Sequence, residues 1–97
     1  GTKLEYINLP KRHVIANDLP TEFDARTAWP GKMRPVRNQG RCGSCWSFGA
    51  NEALSNRFAI ADVDVILSPQ YTVSCDSSDM GCNGGWLDNV WRFFETH

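Results

Sequence analysis

The sequence predicts one mainly helical domain that begins with an extended segment. Apolar residues recur at helical spacing in three stretches after residue 43, which indicates α-helices. Between residues 19 and 39 the chain is interrupted by prolines, which fix φ and remove amide donors, so long regular elements are not expected there. The 97 residues are too few for a second complete domain, so the chain holds one domain or part of one.

Composition excludes several classes of protein. Ten lysines and arginines against eleven aspartates and glutamates give a net charge of −1, whereas a nucleic-acid-binding protein is expected to carry a basic excess. No apolar run approaches the roughly 18 residues that cross a bilayer, so no membrane span is predicted. The hydrophobic fraction of 41% is well above that of disordered chains.

The charged residues fall into two blocks of opposite sign. Residues 26–41 contain basic residues and no acidic ones. Residues 62–95 contain six acidic residues, with Arg92 as the one basic residue. We interpret the blocks as two solvated faces without a ligand.

The first helix is expected to begin beside a cysteine. Residues 1–18 have no sustained periodicity and are interpreted as an N-terminal extension, followed by extended surface chain to Gln39. A helix of about four turns is then expected from Cys45, with Ser44 as its N-cap, which places the thiol at the positive end of the helix dipole. Its predicted buried face consists of Trp46, Ala50, Ala53, Leu54, Phe58 and Ala61.

Two further helices are expected. Ser68 is a favoured N-cap type and Pro69 a favoured first helical residue, so a short helix is predicted there. A loop over residues 76–80 and the pair Gly84-Gly85 follow. A third helix that runs nearly to residue 97 is indicated by Trp86, Leu87, Val90, Trp91 and Phe94.

The four cysteines allow three pairings, and spacing alone does not choose among them. A zinc site is one interpretation, but only Cys42 and Cys45 are closely spaced, whereas Cys75 and Cys82 are not. A thioredoxin-like redox pair would also use Cys42 and Cys45, but it should follow a β-strand, which the preceding residues do not indicate. A third interpretation makes Cys45 a free nucleophile and ties Cys42 to a more distant cysteine.

The third interpretation has a direct chemical rationale. A thiolate attacks a carbonyl, and the dipole and free amides of a helix N-terminus favour the thiolate form of Cys45. Acyl transfer also needs hydrogen-bond donors for the tetrahedral oxyanion. The Cys45 amide and the Gln39 side-chain amide are candidates, because a turn over residues 40–43 brings them close.

The cysteine segments resemble a known family. The nucleophile segment of papain-family cysteine peptidases is similar to residues 39–46, Gln39-Gly40-Arg41-Cys42-Gly43-Ser44-Cys45-Trp46. A second motif of that family is similar to residues 82–85, Cys82-Asn83-Gly84-Gly85. Residues 19–26 and Phe48-Gly49-Ala50 resemble the cathepsin B branch, and the similarity covers residues 19–97.

The resemblance implies an α+β, papain-like fold, of which residues 19–97 form the left, helical half. It implies that Cys45 is the nucleophile and Gln39 an oxyanion-hole donor in peptide-bond hydrolysis through an acyl-enzyme. A disulfide between Cys42 and Cys82 is also implied, while no cofactor and no metal are expected. The implied substrate-binding residues are Gly43, the backbone-pairing Gly84 and Gly85, and Trp86 and Leu87 beside the second specificity pocket. The structural alternatives are a turn at Gly84-Gly85 and helix packing for Trp86 and Leu87.

The family pattern is not complete within these residues. A general-base histidine and an orienting asparagine are expected about 130–150 residues after the nucleophile, and neither His13 nor His97 matches that position. A bridge between Cys42 and Cys82 would also leave Cys75 without a partner. We therefore expect the right half of the domain to be missing and the 97 residues alone to lack peptidase activity.

The resemblance also sets expectations for partners and location. Peptides or proteins are the expected substrates, and a propeptide, a protein inhibitor or a second chain that supplies the right half are further partners. Residues 1–18 resemble the tail of a propeptide, with a cloning remnant or disordered tail as the alternative. Disulfides indicate a lysosome-like, vacuolar or secreted location. The rival interpretation is a non-catalytic binding or structural homologue, or an inert fragment, although the retained Cys45 argues against a non-catalytic ancestor.

Overall fold

Helices dominate the part of the chain that the computed structural model describes, residues 17–97. They are α1 (Ala25–Ala28), α2 (Cys45–Ile60), α3 (Pro69–Cys75) and α4 (Leu87–Thr96). Within these residues the β-structure consists of a single parallel bridge, which joins Gly43 and Asn83. The mainly helical class is therefore confirmed, whereas most of the extension predicted for residues 1–18 lies outside the described residues.

The extended segment contains one helical turn that the sequence analysis missed. Asp24 caps α1, because its carboxylate accepts a hydrogen bond from the Arg26 amide at 2.9 Å. Asp is a favoured N-cap residue, so the local signal was present. Turns and bends follow α1 over residues 29–33, so the predicted extended chain is interrupted there, although no long regular element forms in residues 19–39.

The basic and acidic blocks meet at two ion pairs, which the interpretation as two solvated faces did not predict. Lys32 pairs with Asp62 at 2.7 Å, and Arg34 pairs with Asp64 at 2.8 Å. The Arg34 amide also donates to the Asn56 side chain at 2.8 Å, which fixes the segment against α2. Both aspartates are more than 80% exposed (84% and 89%), so solvent screens each ion pair and its contribution to stability is expected to be small.

The predicted first helix is present as α2, which begins at Cys45 and has 16 residues. Ser44 occupies the N-cap position, but its side chain makes no capping hydrogen bond. The helix ends where Asp62 adopts a φ of +65°. There the Asp62 amide donates to Ala59 and the Val63 amide to Phe58, the pattern of a Schellman ending.

The buried face of α2 differs from the predicted one. Of the six predicted residues, Trp46 and Ala50 are buried, while Ala53, Phe58 and Ala61 are exposed and Leu54 is half-buried. The rest of the buried face is mostly polar and consists of Ser47, Asn51, Ser55 and Ala59. Polar residues are tolerated there because their partners lie in the neighbouring chain, as when Ser47 donates to the Pro69 carbonyl at 2.8 Å.

The hydrophobic core lies where α2 packs against α3 and α4. Trp46, Ala50 and Val90 form its centre, and the half-buried side chains around them are Val73, Leu87, Trp91 and Phe94. Phe93 is also buried, although the predicted face of the third helix omitted it. None of the helices in residues 17–97 combines the length and apolar character needed to cross a membrane.

Candidate active site

The cysteines separate into one disulfide and two thiols. Cys42 and Cys82 are bonded, with 2.04 Å between their sulfur atoms, while Cys45 and Cys75 are free and exposed. This is the pairing that the family resemblance implies. A redox pair of Cys42 with Cys45, or a zinc site that uses Cys42, is inconsistent with it.

A backbone contact adds to the disulfide in joining the two cysteine motifs. The Gly43 amide donates to the Cys82 carbonyl at 2.8 Å, within the parallel bridge between Gly43 and Asn83. A Cβ atom on Gly43 would lie 2.5 Å from the Cys82 carbonyl oxygen, so only glycine permits this approach. The second motif is therefore held next to the N-terminus of α2.

Trp46 extends this junction into the core. Its side chain is 1% exposed, and its indole N–H donates to the Gly81 carbonyl at 2.9 Å. A Cβ atom on Gly85 would lie 2.5 Å from the indole ring. The residue that follows the candidate nucleophile thus contacts Gly85, the last residue of the second motif, and Gly81, the residue just before it, which agrees with its predicted burial.

Gln39 lies beside the nucleophile segment. Its side-chain amide donates to the Cys42 carbonyl at 2.7 Å, across a turn in which Gly40 adopts a φ of +66°. The amide nitrogen carries two hydrogens, so this bond leaves a second one for another acceptor. The role of Gln39 as an oxyanion donor stays a prediction.

The glycine pair combines a turn with a buried backbone. Gly84 has a φ of +114°, and its carbonyl accepts from the Met80 amide at 3.0 Å, which fixes a turn. Gly85 is buried, and within residues 17–97 neither its amide nor its carbonyl takes part in a hydrogen bond. A backbone without a hydrogen-bond partner at this position is what a bound peptide would need.

Trp86 and Leu87 stand at the start of α4. Trp86 is half-buried at the N-cap position, and its amide donates to Asp79 Oδ1 at 2.8 Å. Leu87 packs against the core centre of Trp46, Ala50 and Val90, which is the structural alternative considered for it. Their part in a specificity pocket stays a prediction.

Asp79 is a residue of this region that sequence reasoning did not single out. Burial and, second, the neighbouring Asp76 carboxyl together raise the pKa of its carboxyl group to about 6. The signal in the sequence was the pair of acids in the five-residue loop before the second motif. In the sequence these two acids are part of the acidic block of residues 62–95.

The surroundings of Cys45 are open. A hollow of about 720 Å³ lies beside the disulfide and is lined by Gln39 and Cys42, among others, but not by Cys45. His97 is the one histidine within residues 17–97, and its ring stacks on Phe93 at 4.4 Å near the C-terminus of α4. No hydrogen bond joins His97 to Cys45 in this part of the chain.

Comparison with known proteins identifies relatives with cysteine protease names. The family model described as papain family cysteine protease matches residues 19–97. The chain is 49% identical over 80 residues to a protein named cathepsin B-like CP2 from Giardia intestinalis, an alignment that covers 79% of the chain and 27% of that protein. The chain is 46% identical over 88 residues to cathepsin B-like CP3 from the same organism, an alignment that covers 88% of the chain and 29% of that protein.

A relative from an animal gives the same result. Cathepsin B-like cysteine proteinase 4 from Caenorhabditis elegans is 41% identical over 93 residues, 90% of the chain and 28% of that protein. The chain thus spans less than a third of the length of the curated relatives that it matches.

Proposed function

The chain belongs to the papain family of cysteine proteases, and on that premise we propose that the protein hydrolyses peptide bonds through the Cys45 thiolate. One observation carries the proposal: Cys45 is an exposed free thiol at the first position of a 16-residue helix, whereas Cys42 is engaged with Cys82. The thiolate form of a cysteine is the one that attacks a carbonyl, and an exposed thiol is accessible to a substrate.

The reaction consists of two acyl transfers. Cys45 Sγ attacks the peptide carbonyl carbon, and the resulting oxyanion is stabilised by the Cys45 amide and the second hydrogen of the Gln39 amide. The tetrahedral intermediate collapses to a thioester as the C–N bond breaks and the amine leaves with a proton from a general acid. Water then attacks the thioester carbonyl and releases the carboxylic acid and the thiol.

The glycine pair of the second motif, Gly84 and Gly85, supplies the backbone edge that binds the substrate, the substrate-binding edge. The amide and carbonyl of Gly85 are free to pair with an extended peptide backbone, as in β-strand addition. The contact of Gly85 with the Trp46 ring and the link of Trp86 to Asp79 hold this edge in place. Because Gly43 has no side chain, the substrate-binding edge can approach the nucleophile segment. Trp86 and Leu87 follow this edge in the chain and flank it.

The relatives extend well beyond the matched region, so further parts of the active site belong to the proposal. Residues 19–97 form the left half of the catalytic domain, and the general base with its orienting partner comes from the right half. Residues 1–18 are assigned to the tail of a propeptide. The disulfide supports maturation in an oxidising compartment, lysosome-like, vacuolar or extracellular.

Affinity labelling tests the role of Cys45. In the full-length protein, an epoxide inhibitor directed at cysteine peptidases should label the Cys45 peptide, located by mass spectrometry. The Cys45→Ala variant should lose both the label and peptide hydrolysis, the latter by about 10³-fold or more, because no nucleophile remains. The matched control is Cys75→Ser, which removes the other exposed thiol, at the end of α3, and should retain label and activity.

The rival interpretation, a non-catalytic homologue, makes the opposite forecast. It expects equal slow labelling of Cys45 and Cys75 and no hydrolysis that depends on Cys45. Either result would overturn the proposed function.

A further inference from the structure

Asp79 connects the acidic loop to the proposed substrate-binding edge. Its Oδ1 atom accepts from the Trp86 amide at 2.8 Å and from the Asn89 side-chain amide at 3.1 Å. Trp86 directly follows the Gly84-Gly85 pair and occupies the N-cap position of α4. One carboxyl oxygen therefore fixes the point where the edge joins the helix.

The Asp79 carboxyl has a second carboxyl, that of Asp76, as its neighbour. Asp76 is buried, with 4% of its surface exposed, and its Oδ1 accepts from the amide and the hydroxyl of Ser78 at 3.1 and 2.5 Å. The Oδ2 atoms of Asp76 and Asp79 are both buried, and neither has a hydrogen-bond donor among the described residues. Two buried carboxylates cannot both be ionised at close range without a large cost, and one proton between them removes it.

A shared proton is the explanation that fits the surrounding groups. Among the ionisable groups, Asp88 is buried in the first turn of α4, and Cys75, Arg92 and His97 line a hollow of about 360 Å³ with Asp76. None of these contributes to the raised pKa of Asp79, whose causes are burial and Asp76. Within residues 17–97 no third carboxylate, imidazole or thiolate completes a metal-binding group with the pair.

We propose that Asp79 is a positioning residue for the substrate-binding segment Gly84–Trp86, and that it acts while it shares one proton with Asp76. The substrate-binding part of this inference rests on the proposed function, while the shared proton does not. The pair acts as an acid-dependent clamp: with the proton in place, Asp79 is satisfied on both oxygens and holds the Trp86 amide. When the proton is lost, repulsion from Asp76 displaces the Asp79 carboxylate and loosens the segment.

The pH dependence follows from the direction of the pKa shift. The pKa of Asp79 rises from 3.8 to about 6, so the folded chain holds the proton more tightly than the unfolded chain does. The stabilising effect is complete below the unfolded value and is lost as the pH rises through about 6. The clamp is therefore closed in an acidic compartment and released at neutral pH.

The first experiment follows the proton without catalysis. In the full-length protein, with Cys45→Ala to prevent self-cleavage, the chemical shift of the Trp86 amide should titrate with a midpoint near 6. Asp79→Asn supplies an amide in place of the shared proton and should abolish this titration. Asp76→Asn should move the midpoint down toward the ordinary value of about 4. The control Glu95→Gln changes an exposed carboxylate of α4 and should leave the midpoint unchanged.

The shared proton is refuted if the wild-type midpoint lies near 4 or if Asp79→Asn titrates like the wild type. Hydrolysis of the active protein then tests positioning. At pH 5, Asp79→Asn should have the same KM as the wild type. At pH 7.5 its KM should be lower than that of the wild type by about two- to tenfold, which corresponds to the net free energy of one hydrogen bond. The kcat should be unchanged at both pH values. Equal KM ratios at the two pH values would overturn the positioning role. Absence of hydrolysis in every variant would refute the proposed function and leave the titration result standing.

Discussion

At the scale of single residues, Gly85 is tightly constrained by its neighbours. A Cβ atom there would lie 2.5 Å from the Trp46 indole, which is itself 1% exposed and held by its bond to Gly81. Gly85→Ala should therefore destabilise the fold by about 1–3 kcal/mol, the usual cost of an overpacked core, as measured by urea unfolding.

A second glycine provides the matched control. Gly49 lies within α2 on its exposed side, and a Cβ atom there would sit 3.9 Å from Leu87 Cδ2, an ordinary contact. Gly49→Ala should stabilise the fold by up to about 1 kcal/mol, because alanine restricts the unfolded chain and favours the helix. A loss of stability at Gly49 as large as that at Gly85 would contradict the assigned contact with Trp46.

Prediction from sequence works best for residues whose role depends on local position. Cys45 was placed at the helix start from its neighbours alone, because the N-cap and the apolar spacing are local signals. Asp79 was not recognised, since its properties depend on burial and on two partners, Asp76 and Trp86, whose approach requires the folded loop. A carboxylate in a sequence gives no indication of whether it will be desolvated.

At the scale of elements, α2 illustrates the limit of hydrophobic periodicity. Its buried stripe includes Asn51, which donates to the Thr72 hydroxyl at 3.0 Å, and Ser55, which accepts from the Leu67 amide at 2.9 Å. Buried polar groups of this kind need partners from other segments. Those partners come from α3 and the chain before it, so the sequence of α2 alone points to the wrong face.

The short helix α3 depends on its cap. The Ser68 side chain accepts a hydrogen bond from the Tyr71 amide at 3.2 Å, and Pro69 follows at the first helical position. Ser68→Ala should cost about 1 kcal/mol of unfolding free energy, because an amide of the first turn loses its acceptor. Thermal or urea unfolding measures the change.

Ser44 is the control for this prediction, since it occupies the N-cap position of α2 without a side-chain capping bond. Ser44→Ala should therefore cost less than Ser68→Ala. A larger loss at Ser44 would show that the cap assignments are reversed.

At the scale of the whole molecule, the fold brings two sequence motifs together at one end of α2. The helical class and the order of the helices could be predicted, because caps and periodicity are local. The meeting of Lys32 with Asp62 and of Arg34 with Asp64 could not, because each pair is separated by 30 residues and depends on the path of the segment along α2. A block of like charges in a sequence shows the sign of a surface region but not which oppositely charged residues will lie next to it.

The disulfide constrains the whole molecule, and the effect of its removal on stability can be predicted. Cys42 and Cys82 are 40 residues apart, and closing a loop of this length restricts the unfolded chain by about 4 kcal/mol in the chain-entropy model. The double variant Cys42→Ala with Cys82→Ala should lose about that much unfolding free energy in urea, whereas Cys75→Ala, which removes a free thiol, should lose much less.

In the double variant, the Trp86 amide should also exchange faster with solvent, because the disulfide holds the segment of Trp86 against α2. A double variant as stable as the Cys75 control would show that the backbone contact of Gly43 with Cys82 suffices to join the two motifs.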